Sequence, residues 1–181
     1  MLDQLERRLA DRRARVDVVC ADLAQPLPLQ QPVDAIISVA AFHWISDHVA
    51  LFRNLADVLR PNGQLVADCG GEGNVASIVA AIEDVLGETE GIWNFAGIGE
   101  TQKRLADAGF TEIDVTLRRD PGRLEAGAEF ESYLATVVLG AHMKRLPEPA
   151  RADFVRAVID KLSEPVVDYV RLEIRARRAP A

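Results

Sequence analysis

The stretch of sequence that decides the fold is Asp34-Ala35-Ile36-Ile37-Ser38-Val39-Ala40-Ala41-Phe42-His43-Trp44. It opens with a short apolar, partly β-branched run, Asp34–Val39, which predicts a strand buried on both faces, as in parallel sheets. Small residues follow, as where a strand gives way to a loop, and they lead to His43 and Trp44. Ligands of open α/β sheets bind outside the carboxyl ends of the strands. We therefore expect His43 and Trp44 to lie at a ligand site.

The composition is that of one acidic domain. The chain has 181 residues and a formal net charge of −7, which argues against a general nucleic-acid or anionic-membrane binder. Cys20 and Cys69 each close a predicted strand, as small buried apolar residues do, and no Cys/His spacing resembles a metal site. There is no signal-peptide core and no apolar run of about 18 residues, so we expect a cytoplasmic protein without a membrane span.

The spacing of apolar residues divides the rest of the chain into helices and strands. Leu2, Leu5 and Leu9 recur at helical spacing almost from the first residue, and Asp47 can cap a helix that extends to Leu59. Strands interspersed with helices predict an α/β fold with a mostly parallel sheet. The predicted strands are Val16–Cys20, Asp34–Val39, Leu65–Cys69, Ile113–Leu117 (at an edge) and Val166–Ile174, and the further helices are Ala76–Leu86, Glu100–Ala108, Phe130–Met143 and Arg151–Leu162.

Four fragments carry a family resemblance when they are taken in order and spacing. They are Asp22-Leu23, Ser38–Trp44, Leu59-Arg60-Pro61-Asn62-Gly63-Gln64-Leu65 and Gly109-Phe110. Together they resemble the second half of a class I S-adenosylmethionine-dependent methyltransferase. The likeness is closest to the trans-aconitate and malonyl-thioester carboxyl O-methyltransferases, whose fourth strand typically ends in a Ser-Asn-Ala-Ala-Leu-His-Trp-like string. This chain differs from that string at its second and fifth positions. The resemblance implies a Rossmann-like fold with sheet order 3-2-1-4-5-7-6.

The resemblance also implies a cofactor, S-adenosyl-L-methionine, and residues that would contact it. A carboxylate such as that of Asp22 can accept a hydrogen bond from the adenine amine, although a turn residue that bonds its own backbone is the alternative. Small residues at the strand end would leave room for the methionine arm along the backbone. The implied cofactor-binding set is Asp22, Leu23, Ser38, Val39 and Ala40, and the implied catalytic pair is His43 and Trp44.

The implied substrate is a small-molecule carboxylate, similar to trans-aconitate. A carboxylate is already an anionic nucleophile, so methyl transfer to it needs in-line positioning, which can supply ~7–11 kcal/mol, rather than a general base. We therefore expect His43 to orient the acceptor, although a packed structural histidine is the alternative. Segments near 87–99 and 128–163 are expected to cover the substrate through Trp93, Tyr133 and Arg145, the arginine holding a carboxylate in a bidentate way.

A competing motif lies at Gly71-Glu72-Gly73-Asn74-Val75-Ala76, which matches the dinucleotide-binding pattern G-x-G-x-x-G/A between a strand and a helix. It gives a nicotinamide- or flavin-binding domain as one alternative function. The residues that follow do not return to a strand ending in an acidic residue that could hold a ribose. The motif alone is therefore a weak signal.

The resemblance begins in mid-domain. The family's glycine-rich loop and its first two strands should precede Asp22, and no such sequence lies upstream of it. We therefore expect one methyltransferase domain over residues 1–181 that is a fragment, lacking those two strands and half of the cofactor cradle. A second hypothesis follows, in which the chain is a catalytically inert remnant that serves as an interaction module.

Overall fold

The computed structural model describes residues 2–9, 15–87 and 91–181 and arranges them as helices around a four-stranded sheet and a two-stranded ribbon. The strands are β1 (Val33–Val39), β2 (Leu59–Gly70), β3 (Phe110–Arg119), β4 (Gly122–Arg123), β5 (Val166–Val167) and β6 (Val170–Arg178). The helices are α1 (Leu2–Arg8), α2 (His48–Val58), α3 (Ala76–Leu86), α4 (Ile98–Asp107), α5 (Ala128–Tyr133), α6 (Gly140–Lys144) and α7 (Arg151–Ile159). Phe42–Trp44 and Glu148–Ala150 are 3₁₀ turns, and Leu134–Val138 is a π-helix.

The strand order of the sheet is β1-β2-β6-β3, which corresponds to places 4-5-7-6 of the expected order. The α/β class and the Rossmann-like arrangement are confirmed. The expectation of a mostly parallel sheet holds for the described strands, because β1, β2 and β3 run in the same direction, whereas β6 runs antiparallel to its neighbours β2 and β3. The direction of β6 follows from its connection to β3. After β3 the chain passes through helices at the same end of the sheet, so β6 begins there and must run the opposite way.

One face of the sheet is covered by α2 and α4. Leu65 and Cys69 of β2 and Leu172 of β6 point to this face and are buried in one apolar cluster. The predicted helix start at Asp47 is confirmed, since its Oδ1 accepts hydrogen bonds at 2.9 Å from two backbone N–H groups of the first turn of α2. Cys69 is buried as expected, and burial raises the pKa of its thiol to about 11.

The other helices form a second apolar cluster, which we call the cap. It joins α3, α5, the π-helix, α6 and α7 through side chains such as Ile82, Leu134 and Phe154. The single helix expected over Phe130–Met143 is wrong, because the π-helix interrupts it. Its β-branched residues and Gly140 are weak helix formers, and the Leu139 N–H reaches back five residues to the Leu134 carbonyl at 2.7 Å.

The strand expected over Val16–Cys20 does not form. These residues have no regular secondary structure, and Val16, Val19 and Cys20 are exposed, so the expected burial of Cys20 is also wrong. β-Branched residues favour an extended backbone, but a strand also needs a neighbour to pair its N–H and C=O groups. None of the described strands lies beside residues 16–20.

The burial of β1 also differs from the expectation. Ile36 packs against the covered side, whereas Ile37 is 79% exposed and Val39 is 68% exposed. Val66 of β2 lies opposite Ile37 in the parallel register and is exposed too. The prediction of burial on both faces is therefore wrong, because no described helix covers this side. We refer to Ile37, Val39 and Val66 as the bare face.

Among the residues described, no helix is both long enough and apolar enough to cross a membrane.

Candidate functional site

The carboxyl ends of β1 and β2 open onto a cavity of about 580 Å³. The short turn Phe42–Trp44 after β1 forms one side of it, and the cap and the start of β6 form the other. Six of the predicted site residues line this cavity: Val39, Ala40, His43, Trp44, Trp93 and Tyr133.

His43 is held in one orientation by the backbone. It is only 9% exposed, and its Nδ1 accepts a hydrogen bond from the Gly70 N–H at 3.0 Å. Burial first, and then the positive charge of Arg171 and the neighbouring His48, lower the pKa of His43 to about 4. The ring is therefore neutral near pH 7. Because Nδ1 is an acceptor, the proton of the neutral ring is assigned to Nε2.

The end of β1 turns sharply at Ala40. Its φ is 53°, in the left-handed region that residues other than glycine seldom adopt, and its N–H donates to the Asp68 carbonyl at 2.7 Å. Such backbone strain is typical of functional sites. Val39 and Ala40 border the cavity here, whereas the Ser38 side chain is half-buried on the covered side. The strand end therefore offers the cavity backbone and little side-chain bulk.

The segment after α3 forms an aromatic wall of the cavity. Trp93 stacks on Phe95 with ring centroids 5.4 Å apart, and Trp93 also contacts Trp44 at 6.2 Å. Asn94 fixes this segment to the turn after β1, because its N–H donates to the His43 carbonyl at 2.8 Å and its Nδ2 donates to the Ser46 carbonyl at 2.9 Å. Of the expected covering segment 87–99, residues 88–90 lie outside the described residues.

The opposite wall contains Tyr133, which was predicted, and three side chains that were not predicted as site residues: Tyr169, Arg171 and Asn74. The hydroxyls of Tyr133 and Tyr169 are hydrogen-bonded at 2.8 Å, and burial, with this bond, raises the pKa of Tyr169. Arg171 and Asn74 also line the cavity. The signal that could have found Arg171 was the expected sheet order. With the final strand beside β2, the residue opposite Gly70 must lie at the cavity, and that residue is Arg171.

Four predicted site residues do not line the cavity: Ser38, whose side chain lies on the covered side, and Asp22, Leu23 and Arg145. Asp22 is exposed, and its Oδ1 accepts the Ala24 N–H at 2.9 Å, as in the turn-residue alternative. Leu23 packs against the sheet cluster, and its carbonyl accepts a hydrogen bond from Asn54 Nδ2 at 2.9 Å. Arg145 is exposed at the end of α6.

The glycine-rich loop before α3 serves packing and capping. A Cβ on Gly71 would come within 2.5 Å of the Leu117 side chain, so this glycine is needed for contact between strands and loop. At the N-terminus of α3, where a phosphate would bind, the Asp168 carboxylate accepts hydrogen bonds from the Ser77 N–H at 2.9 Å and from its Oγ at 2.7 Å. These contacts argue against a dinucleotide site here.

Comparison with known proteins gives partial matches along the sequence. Residues 1–67 match the family model described as a methyltransferase domain. An uncharacterized methyltransferase of Schizosaccharomyces pombe, C70.08c, is 32% identical over 90 residues, which cover 42% of this chain and 35% of that protein. A trans-aconitate 2-methyltransferase of Rhizobium rhizogenes is 40% identical over 67 residues, which cover 35% of this chain and 26% of that protein. The chain thus matches about a third or less of the length of these curated relatives.

Solved structures match along almost the whole chain. Phosphoethanolamine N-methyltransferase 2 of Haemonchus contortus, in complex with S-adenosyl-L-methionine, has a TM-score of 0.54 at 17% identity, and the match covers 98% of this chain and 40% of that one. The [4+2]-cyclase SpnF has a TM-score of 0.56 at 19% identity, with 99% and 61% covered. At such low identity these likenesses concern the fold and not the reaction. The chain therefore has the Rossmann-like α/β fold of the class I methyltransferases.

Proposed function

We propose that this protein is an S-adenosylmethionine-dependent methyltransferase and that its acceptor is a small-molecule carboxylate of the trans-aconitate kind. The observation that carries the proposal is the cavity at the carboxyl ends of β1 and β2, which His43 and Trp44 border. Ligands of this class of fold bind at such strand ends. The partial match to a trans-aconitate 2-methyltransferase supports the choice of a carboxylate.

The residues present fit one side of the cofactor. Ala40, with its small side chain and positive φ, leaves the end of β1 open, so the backbone of Val39 and Ala40 could line the methionine arm. Asp22 and Leu23 stay proposed for the adenine, although they lie outside the cavity lining. When bound, S-adenosylmethionine supplies an electrophilic methyl group on a sulfonium sulfur. The rest of the chemistry is the task of this chain's own side chains.

His43 orients the acceptor and does not remove a proton. The lone pair of Nδ1 is already engaged by the Gly70 N–H, and Nε2 carries the proton of the neutral ring. His43 can therefore donate a hydrogen bond to an acceptor oxygen but has no free basic nitrogen for it. A carboxylate needs no deprotonation near neutral pH, so positioning alone suits this substrate class.

Two segments, near 87–99 and 128–163, cover the bound substrate in this proposal. Trp93 from the first and Tyr133 from the second face the cavity from different sides, where they would exclude water. Arg145 was the expected carboxylate holder. Arg171 lies at the cavity instead, so we favour Arg171 for that role.

The rival hypothesis is a catalytically inert interaction module with the same fold. Titration calorimetry of the purified chain with S-adenosylhomocysteine separates the two. Micromolar binding, followed by transfer of a labelled methyl group to trans-aconitate but not to its trimethyl ester, is the expected result. Absence of cofactor binding at millimolar concentration would favour the inert module. Methylation of neutral alcohols or amines in preference to carboxylates would contradict the substrate class.

A further inference from the structure

We propose that His43, Asn74 and Arg171 form a preassembled carboxylate subsite in the cavity. The accepting atoms of these side chains, His43 Nδ1 and Asn74 Oδ1, are already bonded to backbone N–H groups, so the three residues face a ligand mainly with hydrogen-bond donors. The inference rests on the proposed function and deepens it, because it assigns the residues that would hold the anionic group. Each of the three side chains lines the cavity, and each is fixed by a different part of the sheet.

Asn74 presents its amide hydrogens. Its side chain is buried, with the residue 6% exposed, and Oδ1 accepts a hydrogen bond from the Val170 N–H at 2.9 Å. That bond assigns the orientation of the amide and leaves Nδ2 as the group that Asn74 can offer to the cavity. A Cβ on Gly70 would come within 2.6 Å of Nδ2, so the glycine leaves the amide room in this position.

Arg171 can offer a ligand the guanidinium N–H groups that its contact with Asp68 does not use. Its Nε donates to Asp68 Oδ1 at 2.6 Å, and Nη2 contacts the same oxygen, so the Asp68 carboxylate fixes the plane of the group. A guanidinium has five N–H donors and no acceptor, so hydrogens remain for a ligand. With His43 offering Nε2–H, the subsite combines three kinds of donor from the ends of β2 and β6 and the turn after β1.

A carboxylate is the group that satisfies these donors best. It has only accepting oxygens, with about four lone-pair positions, whereas an alcohol or a primary amide would also bring hydrogens, for which the three side chains offer only the second lone pair of Asn74 Oδ1. Asp120 borders the cavity, but its carboxylate is paired with Arg118 at 3.1 Å. The carboxylate could belong to the methyl acceptor or to the methionine arm of the cofactor, since the chemistry is the same.

The first test is Asn74→Asp, a nearly isosteric change. The aspartate keeps an oxygen for the Val170 N–H and replaces the donating NH₂ with a second, negatively charged oxygen. We expect trans-aconitate to shift the Asn74 side-chain amide and the His43 Nε2–H signals in ¹H–¹⁵N NMR spectra of the wild-type chain, and its trimethyl ester to leave them unchanged. In the variant, trans-aconitate should bind at least tenfold more weakly. Asn62→Asp, the same change at an exposed residue of β2 outside the cavity, is the matched control and should bind like the wild type.

A second variant keeps the test valid if Asn74→Asp does not fold. The double variant Asp68→Asn/Arg171→Gln removes both members of the ion pair, so that no unpaired charge is left. It should also lose at least tenfold in affinity. Arg175→Gln is its control, because Arg175 lies four residues further along β6 and outside this cavity. Binding of both trans-aconitate and S-adenosylhomocysteine that is unchanged in both site variants would overturn the subsite.

The source of the carboxylate is settled by 5′-methylthioadenosine, which lacks the methionine carboxylate. If Asn74→Asp weakens S-adenosylhomocysteine but not methylthioadenosine, the cofactor's carboxylate occupies the subsite. If it weakens trans-aconitate alone, the acceptor's carboxylate does. Either result supports the subsite. Trans-aconitate binding without any cofactor binding would leave the subsite standing and contradict the proposed function. If the cofactor binds but substitution of Asn74 or Arg171 weakens neither S-adenosylhomocysteine nor trans-aconitate, the subsite is contradicted and the proposed function still stands.

Discussion

The two faces of the sheet are made by the same strands yet have opposite surroundings. On the covered face, Leu65 and Leu172 pack beneath α2 and α4. On the bare face, Ile37 and Val66 meet solvent, although Val66 directly follows Leu65 in β2. Apolar residues on both sides of a strand therefore predicted the strand correctly and its burial incorrectly. Whether a face is covered depends on what packs against it, and that information does not lie in the strand itself.

The largest expected effect is on stability and compares neighbours in β2. Leu65→Ala should lower the free energy of unfolding by about 2–5 kcal/mol, because it opens a cavity under α2. Val66→Ala should change it by no more than about 0.5 kcal/mol, as at an ordinary surface site. Urea unfolding followed by circular dichroism measures both. Equal losses would mean that the bare face is covered in solution.

Acid should destabilise the protein through its buried imidazoles, which lie on the covered side and in the cap. Burial lowers the pKa of both His43 and His142 to about 4. The unfolded chain binds protons first, with a pKa near 6.5. Stability contributed by the neutral rings is thus complete above pH 6.5 and is lost as the pH falls from 6.5 toward 4, by about 2 kcal/mol for each ring after allowance for solvent screening.

A substitution in the cap tests this assignment. His142 is 3% exposed, and neither of its ring nitrogens has a hydrogen-bond partner in the described part of the chain. We expect His142→Leu, close in volume, to reduce the loss of stability between pH 6.5 and pH 4 by the contribution of that one ring, about 2 kcal/mol, measured by thermal unfolding across that range. An unchanged pH dependence would show that His142 does not contribute to it.

A smaller effect is expected at the end of the covered face, where His43 meets the cavity. In the proposed role as an orienting donor, His43→Gln should reduce methyl transfer by no more than about tenfold, or about 1.4 kcal/mol. His43→Phe lacks a donor and should lose more. The measurement is kcat/KM for trans-aconitate between pH 6 and pH 9. A loss of several powers of ten that varies with pH would instead identify His43 as a general base.

The smallest expected effect on stability is at Ile37, on the bare face. Ile37→Lys should change the free energy of unfolding by no more than about 0.5 kcal/mol. If wild-type chains self-associate in sedimentation velocity, Ile37→Lys should reduce that association, because exposed apolar edge strands promote pairing between chains. Ile36→Lys, on the covered side of the same strand, is the contrasting variant and should be strongly destabilising.

Local signals predicted the parts of the fold that depend on local interactions. The bounds of α3 are those expected, and Asp47 caps α2 as expected. The strand at Val16–Cys20 was wrong because pairing requires a neighbour, which apolar pattern does not report. The π-helix at Leu134–Val138 was missed because helical periodicity does not reveal a change in hydrogen-bond register.

The residues of the candidate site also fall into two groups, those that local sequence predicts and those that only distant contacts bring to the cavity. His43 and Trp44 could be found because they follow a recognisable strand end. Arg171 and Asn74 are brought to the cavity by contacts across about a hundred residues, since Arg171 pairs with Asp68 at a separation of 103 positions. Such residues become visible from sequence only through an expected strand order.

The place of β6 has a consequence for how the protein is made. β6 lies between β2 and β3, but both of those strands leave the ribosome before it does. Until residues 170–178 emerge, the facing edges of β2 and β3 have no partner, and the Arg171 side of the cavity does not exist. Between the synthesis of β3 and that of β6 the nascent chain therefore carries two open strand edges, and insertion of β6 between them completes the sheet and the cavity wall in one event.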